Sequence, residues 1–184
     1  MLLSYPQGIV PVYHPSGDIR QAQLKDGVAS GYGTSLFSGT PVKFTTDGTL
    51  IATGTGADVM SGIFAGCQFT TAQRRVILPY WPASQTYDAG SMIAFYQPID
   101  TQAIYEGETA ATVAATVVGE AINLDDTSQG SIYTGQSTQQ LSATTGATPG
   151  LFIIVGLAEY PNNAWGDPYV RLRLRIGSPQ GPVA

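Results

Sequence analysis

The strictest pattern in the chain lies near its C-terminus, where VRLRLRI puts Val170, Leu172, Leu174 and Ile176 on one parity and Arg171, Arg173 and Arg175 on the other. Successive side chains of a strand point to opposite faces, so a strand here has one aliphatic and one cationic face. A helix would not sort these residues that way, because its neighbours recur three and four positions apart. Just upstream, residues 151–158 (LFIIVGLA) form the longest apolar run. Between the two, Pro161, Asn162, Asn163, Gly166, Asp167 and Pro168 are loop formers. The pattern predicts a pair of core strands, the first buried on both faces and the second, over 169–176, on one.

Similar signals recur upstream. Residues 40–46 (TPVKFTT) and 49–55 (TLIATGT) flank Asp47-Gly48, a dipeptide suited to a tight hairpin whose two central residues take positive φ. Residues 59–70 contain Gly62 and Gly66, which split a strand in two or mark a bulge. Residues 74–81 (RRVILPYW) read as an apolar strand stopped by Pro79 and Pro82, and 91–96 and 102–106 as two more. Weaker strand patterns fall at 120–124 and 132–141. The one helical candidate is 109–118 (TAATVAATVV), where alanine favours a helix and threonine and valine do not, so one or two turns are expected.

Many short strands with Gly- and Pro-rich turns predict a mainly β protein, a single β-sandwich or barrel-like domain over 34–177 with at most one short helix. Residues 1–33, with Pro6, Pro11 and Pro15, read as an extended N-terminal arm, with a short strand at 8–14. Such an arm needs its own barrel or a neighbouring subunit to lie on. Residues 178–184 read as a tail.

Charged residues make up only 11% of the chain, where about a quarter is usual. Glycine, proline and uncharged polar residues take their place, which weakens electrostatic protection against association and points to an assembly component. The net charge of −5 argues against general nucleic-acid binding, whose affinity comes mainly from lysine and arginine. A single cysteine, Cys67, cannot form an intrachain disulfide or by itself a zinc site. The opening MLLSYPQGIVPVYHPSG lacks a basic start and meets proline too early for a secretory signal. No stretch approaches a membrane span. A soluble chain without an export signal is expected.

Catalytic and metal-binding candidates are sparse. One histidine, His14, lies in the arm and one cysteine far from it, so a Cys–His pair is formally available, yet a base wants a rigid support. Cys67, between small residues, reads as a buried apolar filler. Glu106 with Glu108 and Asp125 with Asp126 are carboxylate pairs, but sequence neighbours do not normally flank a glycosidic bond from opposite sides. The glycines of GTGADVMSG lack a following Lys-Ser/Thr and a helix to open. The arginine face of Arg171, Arg173 and Arg175, to which Arg74 and Arg75 are candidate additions from another strand, would repel itself unless anions sit opposite. A salt-bridge ladder with Asp or Glu, cross-strand or cross-subunit, is the preferred reading over nucleic-acid contact.

Several segments together resemble a family of tailed-bacteriophage head decoration (cement) proteins. They are GTSLFSGTPV at 33–42, GIFAGC at 62–67, PYWP at 79–82 and PNNAWGDPY at 161–169 before the alternating strand. The resemblance spans about 31–176 and leaves the arm uncovered. It implies a structural, non-enzymatic protein without cofactor or metal, present in many copies on the outer surface of the virion capsid and made in the host cytoplasm. It would bridge neighbouring subunits of the major capsid protein and stiffen the shell, touching neither nucleic acid nor membrane. Closed symmetry favours trimers or dimers of the chain itself. Contacts with neighbours are then expected from Tyr5, Tyr13, Arg74, Arg75, Trp81, Trp165, Arg171, Arg173 and Arg175. A tail or fibre protein, receptor-binding or not, shares the same composition and is the alternative.

Overall fold

The computed structural model describes residues 6–54, 58–125, 129–147 and 150–179. The first third contributes β1 (Val10–Tyr13), β2 (Ala22–Lys25), β3 (Leu36–Phe37), β4 (Pro41–Phe44) and β5 (Leu50–Ala52). The middle contributes β6 (Gly62–Thr71), β7 (Arg74–Leu78), β8 (Tyr80–Trp81), β9 (Ile93–Pro98) and β10 (Ile104–Glu108). After one 3-10 helical turn at Ala115–Val117 come β11 (Ala121–Leu124), β12 (Leu141–Thr145), β13 (Phe152–Leu157) and β14 (Arg171–Ile176). The protein is mainly β, as the turn-punctuated pattern predicts. Valine and threonine, stiff at χ1, leave the alanine-containing segment 109–118 with only that short turn.

Two large antiparallel sheets carry the fold. The first runs β1-β10-β14-β13-β11-β12, and the second β2-β9-β6-β4-β5 with β7 paired to the far end of β6. A parallel bridge between Thr109 and Leu141, with the Ala110 N–H donating to the Leu141 carbonyl at 2.8 Å, joins the end of β10 to β12. The first sheet therefore curls back on itself around Tyr105, Ile122, Phe152, Leu172 and Leu174. A second core lies under the other sheet, built on Phe64, Phe69, Trp81 and Met92. The small β3–β8 ribbon closes its end, with Phe37 stacked on Tyr80 at 5.5 Å.

Strand β6 belongs to both cores, and a bulge makes that possible. Ile63 packs in the first core and Phe64 in the second, as alternation requires. Phe64 then pairs with Tyr96 and Gly66 with Phe95, so Ala65 is an extra residue. The insertion inverts parity, and Cys67 and Phe69 join Phe64 on the same side. In β13 the pairs Ile154–Leu174 and Gly156–Arg173 leave Val155 as the extra residue. Val155 is 40% exposed. The first core strand is therefore not buried on both faces as expected; like β14 it covers one core and shows its other side to solvent.

The N-terminal residues lie along their own domain. β1 is the outer strand of the first sheet and β2 that of the second, while Ile9 and Val28 are fully buried, one in each core. Two further local expectations are corrected. The hairpin between β4 and β5 turns over three residues, with Gly48 at φ +76° and no positive φ at Asp47. The Thr45 N–H to Thr49 O and Gly48 N–H to Thr45 O bonds define this longer turn. Residues 132–140 form no strand; their backbone groups go to a local turn and to isolated bonds with Ser38, Asp125 and Gln129, and β12 starts only at Leu141.

Candidate interaction face

The alternation of β14 sends Leu172 and Leu174 into the first core and turns its arginines to the outer side of the sheet. Register with β10 sets Glu106 directly opposite Arg173, and Glu108 opposite Arg171. The neighbouring strand of the same chain thus supplies an anion to the arginine face, with Glu106 paired to Arg173. Both glutamates are buried, at 6% and 5% exposure, so each needs partners for its lone pairs. Tyr160 donates its hydroxyl to Glu106 Oε2 at 2.8 Å, and Arg173 Nε stands 3.7 Å from Oε1. Arg173 also reaches Glu159 at 2.9 Å through Nη1. Gln140 donates to Glu108 Oε1 at 2.8 Å. The Arg171 guanidinium lies 5.4 Å above the Tyr160 ring, within cation–π range.

The loop between β13 and β14 holds this arrangement in place. Asn163 is buried; its side-chain amide donates to the carbonyls of Ala158 and Arg171 (2.7 and 2.9 Å), and its oxygen accepts the Arg171 N–H at 3.0 Å. Asp167 Oδ2 caps the Ala164 N–H at 2.9 Å. The NNAWGD stretch is thus a fixed corner that sets Tyr160 against β14.

The expected contact residues are distributed unevenly. Arg171, Arg173 and Arg175 share one face, and Arg175 is exposed and makes no ion pair among the described residues. Trp165 is half-buried against the first core, and Tyr13 is 58% exposed at the end of β1. Arg74 and Arg75 lie on β7 in the second sheet, where Arg75 donates to Gln68 at 2.7 Å. Trp81 is not a contact residue: it is fully buried, edge-on to Phe69 and Tyr87, with its indole N–H on the Tyr32 carbonyl at 3.4 Å. Its apolar area is worth more inside the second core than at a surface. Tyr5 and Asp126 lie outside the described residues. Tyr160 and Glu159 belong to the face although the sequence does not single them out, since there they look like the polar start of a loop.

His14 is better supported than its place in the arm suggests. Its Nδ1 accepts the Ser16 backbone N–H at 3.1 Å, so Nε2 carries the proton donated to Asp100 Oδ2 at 3.0 Å. The Gln102 N–H, followed by the His14 contact, holds the Asp100 carboxyl below its ordinary pKa. Ser16 Oγ lies 2.6 Å from Nδ1, giving a Ser–His–Asp order with the two ring nitrogens exchanged relative to a hydrolase triad. The donors around the hydroxyl are already engaged: Gly17 N–H on the His14 carbonyl, Asp18 N–H on Ser16 Oγ. Neither of these two backbone donors is aimed at a site beside the hydroxyl. The network works as a clamp tying the β1 end to the β9–β10 turn.

No family model, curated protein or solved structure matches this chain.

Proposed function

We propose that this chain is a structural virion protein that binds the outer surface of a phage head and bridges subunits of the major capsid protein. The observation that carries the reading is the outer face of the first sheet. It joins three arginines and Tyr160, residue types enriched in protein interfaces, to partly exposed apolar side chains at Val10 and Val155. Glu106 and Glu159 hold the Arg173 head and the Tyr160 ring lies under that of Arg171, so these two have less side-chain entropy to lose on docking. Arg175 is available for a carboxylate on the neighbouring subunit. The low charge of the whole chain and the four motif segments that resemble head decoration proteins support the same assignment.

The test is the copy number of the polypeptide in purified particles, by quantitative mass spectrometry against the major capsid protein. A near-stoichiometric ratio is expected. A handful of copies per particle would assign the chain to the tail or its fibres, and absence from particles would overturn a virion role.

A further inference from the structure

The charges of this acidic chain are unevenly placed. The strands of the second sheet carry Lys25, Lys43, Arg74 and Arg75 and none of the 13 Asp and Glu residues. Asp58, from a loop, meets Lys43 at 2.7 Å. Arg74 and Arg75 are exposed at the start of β7 and make no ion pair among the described residues. Arg75 gives one N–H to Gln68 at 2.7 Å, which steadies the side chain and leaves the rest of the guanidinium free.

The backbone of β7 is open on one side. Thr70, on β6, gives its N–H to Ser91 Oγ at 3.0 Å and accepts the Asp88 N–H at 2.8 Å, so both groups point away from β7. Thr70 stands opposite Arg75, and opposed residues of an antiparallel ladder exchange both bonds or neither. The N–H and C=O of Arg75, and by alternation those of Ile77, therefore point outward from the sheet. None of these groups has a hydrogen-bond partner among the described residues. Strand β5 is different, because its outward Leu50 and Ala52 N–H groups are taken by Gly27 O at 2.7 Å and the Tyr32 hydroxyl at 3.2 Å. Val76 and Leu78 turn to the second core, which puts Arg75 and Ile77 on the outer face, where Ile77 is 67% exposed. Register sets Ile77, Gln68, Ile93 and Lys25 in one row across β7, β6, β9 and β2. An exposed aliphatic residue beside two arginines, on an edge with unused main-chain groups, is a template for a further strand.

We propose that β7 accepts an extended acidic segment of a partner protein as an added strand, antiparallel like every pair in this sheet. Main-chain bonds to Arg75 and Ile77 supply the affinity. Carboxylates opposite the arginines, with an aliphatic residue opposite Ile77, supply the choice of partner. A second copy of β7 is the wrong occupant, since it would bring arginines to arginines with no carboxylate between them. Nucleic acid is disfavoured by the net charge of −5. The edge lies on the other sheet from the Arg171–Arg175 face, so this inference does not rest on the proposed shell contact.

The test uses the full chain and an end-blocked, dye-labelled peptide, Ser-Thr-Ile-Val-Glu-Glu-Thr-Ser. In antiparallel register its glutamates oppose Arg75 and Arg74, and its isoleucine opposes Ile77. Fluorescence anisotropy should show saturable binding. Amide exchange followed by NMR should show the Arg75 and Ile77 N–H groups unprotected in the free chain and protected in the complex. Reversing the charges, with Arg74→Glu and Arg75→Glu together, should weaken binding about 10-fold or more, and a peptide with lysines for the glutamates should recover it. Ile77→Pro removes an outward N–H and no bond to β6, so the melting temperature should hold while binding is lost. The proposal is overturned if binding does not saturate, if Arg75 and Ile77 exchange slowly in the free chain, or if the bound peptide leaves both amides unprotected. A deoxythymidine oligonucleotide that binds this edge where the peptide does not would assign it to nucleic acid and equally overturn the proposal.

Discussion

Cys67 lies on β6 with its side chain in the second core and no exposed surface, its thiol directed at the Tyr80 carbonyl at 3.3 Å. Burial penalises the thiolate and pushes the pKa from 9.0 up to about 12. The thiol should therefore resist a disulfide-exchange reagent at pH 8 while the protein is folded and react at once in denaturant. Linkage gives a second consequence. The unfolded chain releases this proton near pH 9.0 and the folded one only near 12, so the unfolded state binds fewer protons between those values. Stability from this group is fully present below pH 9.0 and declines through that window, by up to roughly 1.4 kcal/mol per pH unit. Burial also raises Tyr87, Tyr96 and Tyr105, so the cysteine's share is read by comparison with Cys67→Ala, whose stability should fall less steeply from pH 9 to 11. Identical slopes would contradict the buried-thiol account. The burial itself was legible in the sequence, from a small-residue context on an apolar strand. Trp81 was the opposite case, since a tryptophan between prolines reads equally well as a surface anchor or as a core plug.

The two bulges show which strands could be read from their residues and which could not. β14 alternates arginine with aliphatics, so its core face is visible in the sequence. β13 is apolar on both parities, and such a run carries no information about which side faces solvent or where an extra residue enters. In β6 the clue was Gly66. Its φ of +131° is a conformation that L side chains rarely adopt, and a Cβ there would come within 2.8 Å of the Leu78 carbonyl oxygen. Gly66→Ala should cost about 1–3 kcal/mol, because the bulge must flatten and carry Cys67 and Phe69 off the second core. Denaturant unfolding of the variant checks this, and an unchanged midpoint would mean the bulge is not needed to set parity. Segment 132–140 misled for a related reason. Ile132 and Tyr133 have strand-forming side chains, but hydrophobic identity says nothing about whether a residue is buried or presented.

At the scale of the whole molecule, the N-terminal segment decides whether the two sheets can stand without it. Proline spacing in the sequence describes an extended arm and leaves open what it lies on, because the partners of an edge strand are distant in the chain. In the structure β1 pairs with β10 through Val10–Glu106 and Pro11–Tyr105, and β2 pairs with β9 from Ala22 to Lys25. Ile9, fully buried among first-core residues, anchors the arm in that core. Ile9→Ala should cost about 2–5 kcal/mol, the usual range for a large-to-small change in a packed core. For a domain of this size that is a fall in melting temperature of about 5–15 °C. A loosely laid tail would give a change near zero. Removing residues 1–25 is a harsher test, because it strips an outer strand from both sheets and bares the hydrogen-bonding edges of β10 and β9. Open edges of that kind pair with other chains, so the truncated protein should be recovered mostly as aggregate. A truncated protein that stays soluble with the melting temperature of the full chain would show that both sheets are complete without their N-terminal strands, and the arm would then be free to reach a neighbour.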